Sequence, residues 1–216
     1  MKRARFLAAV VPSLLVAALG GVAATAPASA APASAAPLPK PKHEVPHCVT
    51  DEGDLNVLYH VKERLIGPAA CRETYAKEKW VRIVPGWSTA LSGEGAVYPD
   101  GYTPSRPDPI DDFNSKFVSA TYILDRGTPQ EKTFTYKKKQ ILRTGLTGPD
   151  GLPYSVAISP PFKAPELGTH TTTVLFTLSA EHCDGFGTVV DENCLPGGTF
   201  PYTGDAPFTV VPKPDN

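Results

Sequence analysis

Residues 168–183 alternate. Val174, Phe176 and Leu178 fall on even positions with His170, Thr172 and Ala180, while Thr171, Thr173, Leu175, Thr177 and Ser179 fall on odd ones. One face is apolar from Val174 onward and the other is mostly hydroxyl, the period-two pattern of a half-buried strand. Thr and Val restrict χ1 and favour the pleat. The same pattern recurs upstream. Val118, Ala120, Tyr122 and Leu124 share a face before the turn Asp125-Arg126-Gly127. Phe134 and Tyr136 mark the next strand and Gln140-Ile141-Leu142-Arg143 another. After the turn signal Gly148-Pro149-Asp150-Gly151, Tyr154, Val156 and Ile158 alternate with Ser155, Ala157 and Ser159. Residues 80–84 form an earlier strand, and Phe208-Thr209-Val210-Val211 a last one. Seven short strands separated by Gly/Pro turns predict a mostly β protein, an antiparallel β-sandwich.

The segment before this region has a different period. Leu55, Leu58, Val61 and Leu65 recur at three- and four-residue steps up to Gly67-Pro68, which predicts a short helix. Val57, Tyr59 and Val61 also alternate, so a strand is the other reading. Residues 69–79 are good helix formers behind Pro68 and predict a second helix, giving a short N-terminal helical cap. Residues 85–115 hold many Pro, Gly and Asp and no apolar period, which predicts a long loop. Trp87, Tyr98, Tyr102 and Phe113 lie in it and supply apolar area to order it. Residues 184–206 read as a second loop.

The first thirty residues change the picture of the mature chain. Lys2, Arg3 and Arg5 precede an apolar run from Phe6 to Ala24, followed by Ala28-Ser29-Ala30 and Ala33-Ser34-Ala35. These are the parts of a secretory signal peptide over residues 1–30, so a secreted, extracellular protein is expected, with no membrane segment after cleavage. Residues 31–47 are Ala, Pro, Ser and Lys without apolar pattern and read as a disordered tether. The domain divides into a cap and long loop over 48–115, a sandwich over 116–212, and a polar tail over 213–216. The signal holds three of the 21 basic residues and none of the 22 acidic ones, which leaves 18 against 22, a net charge of −4. A mildly acidic chain gives no reason to expect nucleic acid as partner. A monomer is expected.

Cys48, Cys71, Cys183 and Cys194 all lie in the exported part, and an even count there implies disulfides. Sequence proximity favours Cys48–Cys71 and Cys183–Cys194. Leu167-Gly168-Thr169-His170, followed by Val174 and Phe176 and closed by Phe208-Thr209-Val210-Val211 before Pro212, resembles the penultimate and last strands of immunoglobulin-like domains in secreted bacterial proteins. The resemblance covers roughly residues 116–211 and implies an immunoglobulin-like fold. The Cys…Trp…Cys spacing of antibody domains is missing, because both Trp precede the β region. The whole chain, with its Ala-rich leader, also resembles actinobacterial exported proteins, a likeness that implies no activity.

Candidate chemistry is sparse. Gly86-Trp87-Ser88-Thr89-Ala90 approaches a nucleophile elbow but ends in Ala, and no helix pattern follows Ser88. A small secreted hydrolase using the 85–115 loop is therefore the alternative to the main expectation, a non-catalytic extracellular binding or structural module. His182, Asp184, Asp191, Glu192 and Asn193 could offer oxygens to Ca²⁺, but the D-x-D-x-D-G pattern is missing and a solvated loop held by a disulfide is the simpler reading. His170 and His182 are too far apart along a strand for one zinc ion. No cofactor or metal is expected. Lys137-Lys138-Lys139 reads as a hairpin tip or as a charged edge that resists aggregation. The residues expected to meet a partner, either a cell-wall polysaccharide or another extracellular protein, are Trp87, Tyr98 and Tyr102 in the first loop and Phe186 and Val189 in the second.

Overall fold

The computed structural model describes residues 47–213. The leader, the tether before His47 and the last three residues of the tail lie outside the described residues.

Strands β1 (Val49–Thr50) and β2 (Gly53–Asp54) lead into the single-turn helix α1 (Leu55–Leu58). Then come β3 (Arg64–Ile66), β4 (Glu73–Tyr75) and the long β5 (Lys79–Ser88). Helix α2 (Pro109–Lys116) precedes β6 (Phe117–Leu124) and β7 (Lys132–Lys137). One helical turn, α3 (Lys138–Ile141), connects to β8 (Leu142–Thr147), β9 (Pro153–Ile158), β10 (Phe162–Lys163) and β11 (Gly168–Leu178). Two-residue strands β12 (His182–Cys183) and β13 (Cys194–Leu195) flank α4 (Val190–Asn193), and β14 (Gly198–Val211) follows. The protein is mostly β. One sheet runs β10-β5-β9-β8 with β3 on β5; the other runs β4-β14-β11-β6-β7.

The two sheets share one apolar cluster. Trp80, Val84, Ala157 and Phe162 from the first meet Ala120, Tyr122, Val174, Phe176 and Phe208 from the second. Phe176 stacks on Tyr202 with ring centroids 3.9 Å apart and meets Phe117 edge-on. The first sheet is buried on its other face as well. There Val81, Ile83, Tyr154, Val156 and Ile158 pack with Cys48, Leu55, Leu65 and Cys71. A strand in a middle layer is covered on both faces, which is why Ser155 and Ala157 on β9 are buried beside Tyr154 and Val156.

The expected register of β11 holds. Val174, Phe176 and Leu178 are buried, and Thr177 lies on the opposite face with its hydroxyl 2.9 Å from that of Thr199. His170 anchors the start of the strand. Its Nδ1 lies 2.7 Å from an Asp125 carboxylate oxygen, and the Thr171 N–H donates to the other. The disulfides Cys48–Cys71 and Cys183–Cys194 both form. The first ties β1 to the segment before β4, and so holds the N-terminal layer closed over the first sheet.

Several expectations are corrected. Residues 69–79 are not a helix: they hold β4, which adds in parallel to the edge of β14. The N-terminal helix is limited to α1, where Asp54 caps the first turn by accepting from the Asn56 and Val57 N–H groups. The sheets are not wholly antiparallel, because β3 also runs parallel to β5. The loop expected over 184–206 is shorter, since β14 begins at Gly198 and pairs with β11 through Phe176↔Phe200. Val118 does not face the core. A register shift opposite Thr177 and Leu178 turns Phe117 inward and leaves Val118 exposed. Lys138 and Lys139 are not a hairpin tip but part of α3, and the Lys138 ammonium donates to the Asn114 carbonyl at the end of α2.

Phe176→Ala is expected to cost about 3–5 kcal/mol, the range for a large core side chain whose neighbours cannot collapse. Thr177→Ala should cost far less, because it removes one exposed hydroxyl contact. Thermal or urea melts of the two variants check the register, since a one-residue slip would exchange their effects.

Candidate functional site

The long segment after β5 is not a featureless loop. Gly93–Gly95 forms one 3₁₀ turn, Val97 bridges to Phe186, and α2 follows with Pro109 at its first turn. Gly93 lies so close to Pro107 that a Cβ there would stand 2.2 Å from the Pro107 carbonyl oxygen, so only hydrogen fits. Helix α2 carries Ile110 and Phe113 toward the core, with Phe117 one turn beyond. That spacing, behind an Asp108-Pro109 start, is a helix signal that the surrounding Pro and Asp residues mask.

Asp112 on this helix is the centre of a buried polar cluster. One carboxylate oxygen, Oδ2, lies 2.8 Å from Lys116 Nζ and 2.8 Å from His182 Nδ1, and accepts from Tyr102 OH at 2.7 Å. The other, Oδ1, accepts from Ser105 N at 2.6 Å and Ser105 Oγ at 2.7 Å. Lys116 also donates to Tyr102 OH at 3.0 Å. Burial by itself pushes the Asp112 pKa up. The hydrogen bonds from His182, Lys116, Ser105 and Tyr102 outweigh it and hold the carboxyl well below the usual carboxylate range. Burial pushes His182 the other way, down from 6.5, against the pull of Asp112. His182 is therefore a neutral imidazole at pH 7 that donates its Nδ1–H to Asp112. The network joins the loop at Tyr102 and Ser105, helix α2, and strand β12.

This carboxylate–imidazole pair does not continue into a nucleophile. His182 Nε2 is buried and has no hydrogen-bond partner among the described residues, and the Trp87 indole N–H is in the same position. Their rings meet edge to face at 6.4 Å. Ser105 sits on Asp112 rather than on Nε2, the wrong end of the pair for a Ser-His-Asp relay. Ser88 is exposed at the end of β5, on a concavity of about 440 Å³ lined by Asp51, Glu52, Tyr59 and Tyr154 and by no histidine. Of the five residues weighed for Ca²⁺, only Asp184 and Asn193 meet, through a side-chain hydrogen bond. His182 is committed to Asp112, and Asp191 and Glu192 are exposed on α4. Among the described residues the one cluster of metal-ligand type is Glu181, Cys183 and Cys194, and its two sulfurs are joined in the disulfide.

The expected partner residues lie at this end of the fold. Trp87 is partly buried against the core, edge-on to Tyr202. Tyr98 and Tyr102 pack on each other at 5.2 Å and both turn their hydroxyls inward. Phe186 and Val189 are exposed, at 48% and 51%, and so are Val97 and Val190 at 50% and 47%. The two loops are stitched together by backbone bonds from Ala90 N to Asp184 O and from Val97 N to Gly185 O, each 2.8 Å. Beside Val190 a groove of about 530 Å³ opens, lined by Pro99, Asp100, Tyr102, Lys116 and Glu181. Asp112, Lys116 and Ser105 were not among the expected site residues. The Asp112/Lys116 spacing of four on a helix was the available signal. Comparison with family models, with curated proteins and with solved structures finds no match to this chain.

Asp112→Asn keeps the shape but leaves the Lys116 ammonium buried without its counter-charge, and should cost about 3–5 kcal/mol in a urea melt. Acid should act in two stages. From about pH 6.5 downward the unfolded chain binds a proton at His182 that the folded chain resists, so stability falls as pH drops. Below about pH 3.8 the same sign applies to Asp112, whose lowered pKa makes the folded state the weaker proton acceptor. Melting temperatures between pH 7 and pH 3 check this, and His182→Gln should flatten the upper stage.

Proposed function

We propose that this protein is a secreted, disulfide-bonded extracellular binding module of immunoglobulin-like sandwich type, and that it meets its partner with the end built from the 85–115 segment and the Cys183–Cys194 loop. The observation that carries this reading is the pairing of exposed Val97 with exposed Phe186 across two distant segments, with Val189 and Val190 exposed farther along the same disulfide-closed loop. Exposed apolar groups gathered in one place mark interaction surfaces, whereas single ones do not. Loops at the end of a two-sheet domain are where such surfaces are commonly placed. The side chains are mostly aliphatic, and the tyrosine hydroxyls that could flank a stacked sugar are turned inward. These features favour another extracellular protein over a cell-wall polysaccharide. The leader favours export, with the mature chain beginning at Ala31 or Ala36.

The test is differential capture. The immobilised chain, Phe186→Ser and Val189→Ser are each exposed to culture fluid, and the retained proteins are compared. A retained protein that is lost with either variant is expected, at unchanged melting temperature. Equal retention by all three would remove this end from the binding surface.

A further inference from the structure

The reading of this end as a docking surface leaves the chemistry of its occupant open. Resting on that reading, we propose that the occupant is a cationic, amphipathic polypeptide segment. It sets apolar side chains on Val97, Phe186, Val189 and Val190 and its Lys and Arg side chains on the carboxylates around them.

The argument is charge complementarity around an apolar centre. Residues 91–111 expose Glu94, Asp100, Asp108 and Asp111 against one cation, Arg106. Residues 181–193 expose Glu181, Asp191 and Glu192 and contain no Lys or Arg. Within these two stretches seven exposed carboxylates stand against one exposed cation, whereas the chain from Ala31 onward carries −4 in all. The basic residue of the adjoining groove, Lys116, is buried and already bound to Asp112. It therefore adds little positive field outside. Asp100 and Glu181 line the groove beside Val190, and Asp191 and Glu192 follow Val190 on α4; carboxylates gathered in this way attract a cationic partner, raise its rate of encounter and repel anionic ones. The four apolar side chains supply the area that charge alone does not, because exposed ion pairs contribute little to affinity. The same field opposes two other occupants. A second copy of this chain would set like charges against each other, and an anionic lipid surface would be repelled.

The oxidised full chain is titrated by fluorescence anisotropy with three synthetic peptides. One is an amphipathic Lys/Leu helix, the second its Glu/Leu counterpart, and the third a Lys/Ser peptide of equal charge. The Lys/Leu peptide is expected to bind, the Glu/Leu peptide not to, and the Lys/Ser peptide to bind more weakly. Phe186→Ser with Val190→Ser should raise Kd by roughly tenfold or more, as for a central apolar contact. Asp191→Asn with Glu192→Gln should raise it several-fold at low salt, and less at high salt. Val57→Ser, an exposed apolar residue on α1, should leave it unchanged. All the substituted residues are exposed, so melting temperatures confirm that the variants fold.

Equal affinity for the Glu/Leu peptide, or no change in the apolar variant, overturns the proposal. The two readings fail in different ways. If Phe186→Ser abolishes capture of the natural partner while Asp191→Asn with Glu192→Gln leaves it intact, the cationic occupant is wrong and the docking surface stands. If capture survives Phe186→Ser, the docking surface itself is wrong.

Discussion

The carboxylate of Asp112 is the constraint on which the end of this molecule depends. A buried charge is tolerated only when it is paired and hydrogen-bonded, and Asp112 meets both conditions with groups from three separate segments. Lys116 on the same helix supplies the counter-charge. Tyr102 and Ser105 come from the segment before the helix, and His182 from the strand that opens the disulfide loop. Helix α2 is itself anchored in the core by Phe113, and the carboxylate it carries gathers the other segments. Together they form one polar core under the loops, and the carboxylate sets where each must lie. The disulfide loop that carries Phe186, Val189 and Val190 starts at the strand of His182, so this cluster forms its base.

That base explains how a loop-rich surface stays ordered without a large core of its own. The main apolar cluster lies between the two sheets, and a second lies beneath the N-terminal layer closed by Cys48–Cys71. Neither reaches the tips of the two loops. Their order comes from the Cys183–Cys194 bridge, the Val97–Phe186 pairing and the polar network. Pre-ordering matters for binding, because a surface held in place loses less conformational entropy on association. Arg82 shows the same polar logic inside the protein. Burial lowers its pKa to about 10, and its guanidinium is satisfied by the Thr172 hydroxyl and the Ile66 and Ile83 carbonyls, so it links the two sheets through polar contacts.

The sequence by itself determined the local periodicities. The β character of β11, the burial of Phe176 with Thr177 on the opposite face, and both cysteine pairings were legible in it. Alternation and sequence proximity are local quantities that a strand and a short disulfide loop obey. Phe186 and Val189 could be singled out for a related reason: an apolar residue in a small, Gly-rich loop has little core to enter.

Tertiary structure decided everything that depends on what lies opposite. Residues 69–79 have helix-forming composition, yet Glu73–Tyr75 completes the edge of β14, since an unpaired strand edge rewards any extended segment that reaches it. Val118 fits the alternating pattern and still faces outward, because one register shift against β11 reverses a side chain. Beyond the Asp112/Lys116 spacing, the cluster was illegible because its members lie up to eighty residues apart in the chain. A carboxylate in sequence carries no sign of whether it faces water or a histidine. Only the folding of helix α2 against β12 brings Lys116, Tyr102, Ser105 and His182 to it, and a buried charge must be satisfied by whatever the fold places there.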